Sequence, residues 1–124
     1  MKLNQVMVFA KDMPRMRTFY RDVIGLVPVD ETEADQWLRF DAGGCFLALH
    51  AIPAAIAKDI EITQPPQARS DTPIKLTFHA DDVDAARARL IAHGAQMLEV
   101  RRFGSLSLCD GLDPEGNVFQ ISNR

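Results

Sequence analysis

Gly111-Leu112-Asp113-Pro114-Glu115-Gly116-Asn117-Val118-Phe119-Gln120-Ile121-Ser122 reads as a tight turn running into a strand. Proline presets one backbone angle, aspartate caps the bend, and Gly116 takes the positive φ that closes it. Beyond the turn the side chains alternate, with Val118, Gln120 and Ser122 to one side and Phe119 and Ile121 to the other. Phe119 and Ile121 make an apolar face suited to packing on a helix. Gln120 is left in the middle of the opposite face. One greasy face and one mixed face predict a sheet with a helix behind it and a lined cavity in front.

Working outward, the rest of the chain is the same design used twice. Gln5 to Ala10 reads as a strand, and Lys11-Asp12-Met13-Pro14 opens a helix with Asp12 as its N-cap and proline in the first turn. Met16, Phe19, Tyr20 and Val23 fall at helical spacing on a single apolar stripe. Gly25 ends that helix in the left-handed conformation. Short strands follow around Leu26–Val29, Trp37–Asp41 and Cys45–His50, with Gly43-Gly44 as a hairpin. From Ala51 to Thr72 the pattern lapses, and Pro53, Pro65 and Pro66 mark a linker with a helical turn near Ala54–Lys58. Then Ile74–His79 reads as a strand, Asp82 caps a helix through His93, Gly94 ends it, and three strands run to Ser122. An offset of about 70 residues sets Gln5 on Lys75, Phe9 on His79 and Asp12 on Asp82, with Ala48 near Gln120. The fold class predicted is α+β. Two tandem βαβββ modules, 1–51 and 73–124 joined by a linker at 52–72, form curled mixed sheets around a cavity with the helices outside.

Alternation then assigns the cavity lining. Val6 and Val8 pack on a helix, leaving Gln5, Met7 and Phe9 inward. Leu38 and Phe40 pack away from Trp37 and Arg39, and Leu47 and Leu49 from Phe46, Ala48 and His50. In the second module Ile74, Leu76 and Phe78 pack away, leaving Lys75, Thr77 and His79. Leu106 and Leu108 pack away, leaving Ser107 and Cys109, and Gln120 completes the set. Arg39, Lys75, His50 and His79 are the potential positive charges. Snorkelling to solvent is the bland reading for Arg39 and Lys75. His93, at a helix C-terminus, has a structural role.

The ending D-P-x-G-N-x-x-x-hydrophobic, together with the βαβββ repeat, resembles the vicinal oxygen chelate superfamily, which holds the glyoxalases, bleomycin and fosfomycin resistance proteins and extradiol dioxygenases. The resemblance covers essentially the whole chain. It implies metal ligands on the first and fifth strands and on the last strand of each half, positions held here by Gln5, Lys75, Ala48 and Gln120. Two neutral amides, a cation and a methyl group make no first-row metal site. His50 and His79 lie two residues along, and roughly 7 Å of strand separates i from i+2. No metal and no cofactor are therefore expected. By the same resemblance a homodimer is expected, because such cups are built between two chains.

Composition bounds the rest. At 124 residues the chain is one domain. A net charge of −3 gives no reason to expect nucleic acid. No apolar run approaches the ~20 residues of a membrane span, and no signal peptide is visible. Cys45 and Cys109 make no disulfide framework, so a reduced, cytoplasmic protein is expected. No nucleophile–histidine–acid arrangement and no phosphate-cradling loop appears.

The function expected is that of a metal-free glyoxalase/bleomycin resistance-like protein holding a small anionic or aromatic molecule. The rival is an enzyme of the same superfamily, a lyase, isomerase or dioxygenase. It would be metal-dependent through a non-standard site, or metal-free with Lys75 as base or amine and His50 or His79 as proton carrier. Lys75 is the favoured anion anchor, unless an acid such as Glu99 or Asp110 neutralises it.

Overall fold

In the computed structural model, which describes residues Met1–Arg124, two aspartates open the two longer helices in the same way. Asp12 accepts from the Arg15 N–H at 3.0 Å and Asp82 from the Ala85 N–H at 2.9 Å, each satisfying a first-turn donor that the helix cannot. Helix α1 runs Met13–Thr18 and continues as a π-helical stretch, Phe19–Ile24. Met16, Phe19, Tyr20 and Val23 are all buried along it, each worth about 1.5–3 kcal/mol against exposure. Gly25 closes it with φ of 93°. A four-residue helix α2 follows at Ala54–Ala57, and α3 spans Val83–Ala92.

The chain divides into two compact units, Met1–Glu61 and Ile62–Arg124, with the boundary inside the predicted linker. The first holds strands β1 (Gln5–Ala10), β2 (Val27–Glu33), β3 (Trp37–Asp41) and β4 (Phe46–Ala51) in the order β1-β4-β3-β2. In the second, β5 (Leu76–His79), β9 (Val118–Ser122) and β8 (Leu106–Leu112) lie in that order. There β6 (Gln96–Met97) and β7 (Arg101–Phe103) both pair with β8. The repeat shows in the register. β1 pairs β4 in parallel with Met7 opposite Ala48, and β5 pairs β9 in parallel with Thr77 opposite Gln120. Both sheets are mixed, as the α+β reading requires.

The predicted apolar faces of β3, β4 and β9 are buried, through Leu38, Phe40, Leu47, Leu49, Phe119 and Ile121. Three details differ. Four strands, not three, follow α3, because the first of them breaks at Leu98. The Leu98 carbonyl turns to accept from Arg87 Nε at 2.6 Å and from the Cys109 thiol at 3.1 Å. Strand β2 runs on to Glu33. Strand β5 starts only at Leu76, so Ile74 does not pack on a helix and is 67 % exposed. The cause is register: Leu76 pairs Phe119, so Ile74 falls opposite Asn117, which belongs to the turn and offers no strand to pair with.

That turn is built as its composition dictates. Asp113 Oδ1 accepts from the N–H groups of Glu115 at 2.9 Å and Asn117 at 3.0 Å, and Oδ2 from Asn117 Nδ2 at 2.8 Å. Gly116 takes φ of 83°, and its carbonyl accepts from the Arg69 N–H at 2.8 Å. The end of the linker is thereby tied to the turn.

Candidate functional site

On the first sheet, alternation turns Gln5, Met7 and Phe9 of β1, Trp37 and Arg39 of β3, and Phe46, Ala48 and His50 of β4 to one face. Register explains its chemistry. Arg39 lies between Ala48 and Asp30 on neighbouring strands, and Asp30 turns Oδ1 to the Thr32 hydroxyl and N–H. The Arg39 guanidinium lies over rings, 4.3 Å from the centre of Phe46 and 5.8 Å from that of Trp37. Such cation–aromatic stacking adds about 0.5–2 kcal/mol each. Arg39 Nε is shut off from solvent without a hydrogen-bond partner. Phe9 stacks on His50 at 5.5 Å, and Met7 and Phe9 are exposed. Ala48 sits wholly buried between Met7 and Arg39, so it presents nothing to a ligand. Gln5 is half-buried opposite Phe46.

On the second sheet the centre is a residue absent from the expected lining. Asp110 pairs Gln120 across β8 and β9 and accepts from its Nε2 at 2.8 Å through Oδ1. Oδ2 accepts from Lys75 Nζ at 3.0 Å and Arg101 Nη2 at 2.9 Å. Burial alone would lift the Asp110 carboxyl, but the hydrogen bonds of Gln120 and Lys75 and the charges of Lys75 and Arg101 outweigh it. The net result lies below the ordinary carboxylate range. Lys75 precedes β5 and is no isolated ammonium. Its charge is shared with Asp110, the internal neutralisation that the sequence leaves open.

Cys109 and Ser107 correct the expected lining. Cys109 pairs buried Ile121 and is itself buried, facing α3, where its thiol bonds the Leu98 carbonyl and meets Arg87. Burial pushes that thiol above its ordinary pKa. Ser107, two residues earlier, shares its parity. The reason is Gly111, on the same face as Cys109. A Cβ there would lie 2.5 Å from Met97 Sδ and 2.7 Å from Phe119 Cζ, so the residue under the Phe119 ring must be glycine. Asp110 is thereby sent to the Gln120 face. Counting back from the turn, with Leu112 opposite Val118, is the signal that finds it.

Thr77 and His79 are exposed on β5. His79 Nε2 lies 2.9 Å from Asp81 Oδ1, and that contact, with the Arg124 carbonyl, raises its pKa. His93 caps α3, its Nδ1 2.8 Å from the Arg89 carbonyl oxygen.

A pocket of about 290 Å³ lies in the second unit. Ala68, Arg69, Ser70 and Thr72 of the linker line it together with Ile74 and Lys75, and so do Leu98, Asp110, Leu112 and Val118.

A divalent metal does not fit these residues. Of the positions that the fold would use, Ala48 is a buried methyl, Lys75 donates to Asp110, and Gln120 turns its amide nitrogen to the same carboxylate. No three His, Cys, Asp or Glu side chains converge elsewhere.

The family model described as a glyoxalase-like domain matches residues 5–122. No curated protein matches significantly. Among solved structures, the chain is similar to a glyoxalase/bleomycin resistance protein/dioxygenase family enzyme from Burkholderia phytofirmans PsJN. Identity is 24 % over 98 % of both chains, with a TM-score of 0.75. It is also similar to a lactoylglutathione lyase from Agrobacterium tumefaciens, at 23 % identity over 98 % of this chain and 92 % of that one, TM-score 0.69. A third is TnmS3, an antibiotic binding protein from Streptomyces sp. CB03234, at 22 % identity over 98 % and 93 %, TM-score 0.68. At such identities the likeness carries the fold. With its βαβββ repeat intact and that family model spanning it almost end to end, the chain belongs to the glyoxalase-like domain family of the vicinal oxygen chelate superfamily.

Proposed function

We propose that this protein binds a small planar organic anion on the open face of its first sheet and holds it without converting it. The supporting observation is Arg39. Its guanidinium is flattened on Phe46 and Trp37, has no carboxylate partner, and keeps a buried Nε without an acceptor. A guanidinium held this way recognises a flat, negatively charged group, since rings stack beside it and its edge donates charge-assisted hydrogen bonds. Binding without conversion is also the kind of activity that the name of the antibiotic binding neighbour describes. The enzyme reading through Lys75 has less support. A base or Schiff-base amine has to face the reacting group, and the Lys75 amine is instead engaged as a donor to Asp110 Oδ2 at 3.0 Å.

Trp37 is the only tryptophan, so its fluorescence reports on this face. Titration with 1-naphthoate is expected to quench it saturably, with 1-naphthalenemethanol about tenfold weaker, or about 1.4 kcal/mol. In Arg39→Gln the difference between the two should vanish. Equal affinity of both compounds for the native protein, unchanged naphthoate binding by Arg39→Gln, or no saturable quenching would each overturn the proposal.

A further inference from the structure

The second unit carries a pocket whose chemistry differs from that of the Arg39 face. No aromatic side chain lines it. Ile74, Leu98, Leu112 and Val118 give it aliphatic walls, and its volume of about 290 Å³ sits at the low end of small-ligand sites, roughly 300–1,000 Å³. The charges are gathered at its border. Lys75 and Asp110 line it, Arg101 shares the Asp110 carboxylate, and Arg69 comes from the linker with no ion-pair partner for its guanidinium. Two cations thus share one carboxylate, both of whose oxygens are engaged, and Arg69 adds a third positive charge to the pocket lining. Lys75 uses one of its three donors on Asp110, and a cation with donors to spare beside an apolar wall favours an anion with a hydrocarbon tail.

We infer that this pocket is a second ligand site, taking a short-chain aliphatic monocarboxylate with its carboxylate at Lys75 and Arg69 and its tail against Leu98, Leu112 and Val118. A flat aromatic anion finds no ring to stack on here, and a dianion would meet the Asp110 carboxylate as well. Its residues all lie in Ile62–Arg124, whereas Arg39, Trp37 and Phe46 lie in Met1–Glu61, so different substitutions test the two proposals.

The linker is held in place by the Arg69 N–H bond to the Gly116 carbonyl, at 2.8 Å. Its roof is therefore part of the fold of the second unit, and the Arg69 side chain is delivered to the pocket by backbone geometry.

The test uses octanoate on the whole chain, followed by isothermal titration and by amide chemical shifts. Saturable binding is expected, with shifts concentrated at Ile74, Leu98, Leu112 and Val118. Lys75→Met and Arg69→Gln should each weaken it about tenfold, and octan-1-ol should bind at least tenfold more weakly than octanoate. Ile74→Trp, at an exposed rim position, should block the pocket while leaving the fold intact by circular dichroism. Arg39→Gln should leave octanoate binding unchanged. The inference is overturned if octanoate produces no saturable shifts at these residues, if octan-1-ol binds equally well, or if Arg39→Gln rather than Lys75→Met abolishes binding. That last outcome would place the acid on the first sheet and leave the Arg39 proposal standing.

Discussion

Gly116→Ala is expected to lower the folding stability by about 2–4 kcal/mol, the sum of a left-handed backbone penalty and a steric clash. The glycine holds φ of 83°, and an added Cβ would run into the carbonyl oxygen of Gln67. That oxygen is backbone, in the segment tied down by the Arg69 N–H bond to the Gly116 carbonyl. Relief therefore requires the linker to lift away or the turn to open, and the turn is pinned by the hydrogen bonds centred on Asp113. Gly43→Ala separates the two contributions. Gly43 has φ of 89°, and a methyl added there would meet nothing within 4 Å, so it should show the backbone penalty alone, about 1–2 kcal/mol. Urea denaturation of both variants makes the comparison. Equal losses would mean that the linker does not press on the turn.

Asp110→Asn is expected to cost about 1–2 kcal/mol at neutral pH, a value discounted because its cationic partners are substantially solvated. The side chains of Lys75 and Arg101 are 40 % and 54 % exposed, against 13 % for Asp110. The amide would leave one acceptor oxygen for the three donors of Lys75, Arg101 and Gln120 and remove the charge that pairs the two cations. The pH dependence carries the sharper signature. The folded-state pKa of Asp110 is depressed, so its contribution is complete above the unfolded value, near pH 4, and is lost as pH falls through the lower folded value. The native protein should therefore lose stability on acidification below about pH 4 more steeply than the Asn variant. Parallel acid limbs for the two proteins would show that the cluster contributes no linkage.

Much of this arrangement is legible in the sequence, and the boundary is physical. The Met16, Phe19, Tyr20 and Val23 stripe, the Asp12 and Asp82 caps and the Asp113–Gly116 turn are local codes, each readable within a few residues. The Arg39, Trp37 and Phe46 face follows from strand parity, because β3 and β4 are regular and their partners fix each residue. What parity alone misses is β8. Its leucines at 106 and 108 look like a core face, but the close approach of the Phe119 ring admits only Gly111 beneath it, and that steric fact sets the phase. By sequence Asp110 is consequently a possible partner of Lys75 rather than a member of the lining. Parity likewise extends the strand back to Ile74, whose place on the neighbouring strand, Asn117, already belongs to the turn. No residue pattern marks where a neighbouring strand stops; that is set by pairing across the sheet. The Arg69 side of the second pocket belongs to the linker, whose composition says only that it is irregular.

The Leu98 break in the second sheet has a chemical consequence. Its carbonyl takes the Cys109 thiol as a donor while Arg87 holds it from the other side, and burial keeps that sulfur protonated and out of reach. Cys45 is only half-buried, in the loop ahead of β4. The chain thus carries two thiols of unequal accessibility, one in each half. An alkylating reagent meets Cys45 in the native state and reaches Cys109 only when β8 parts from α3. The slower of the two modification rates therefore times the opening of the second half, and does so without any added label.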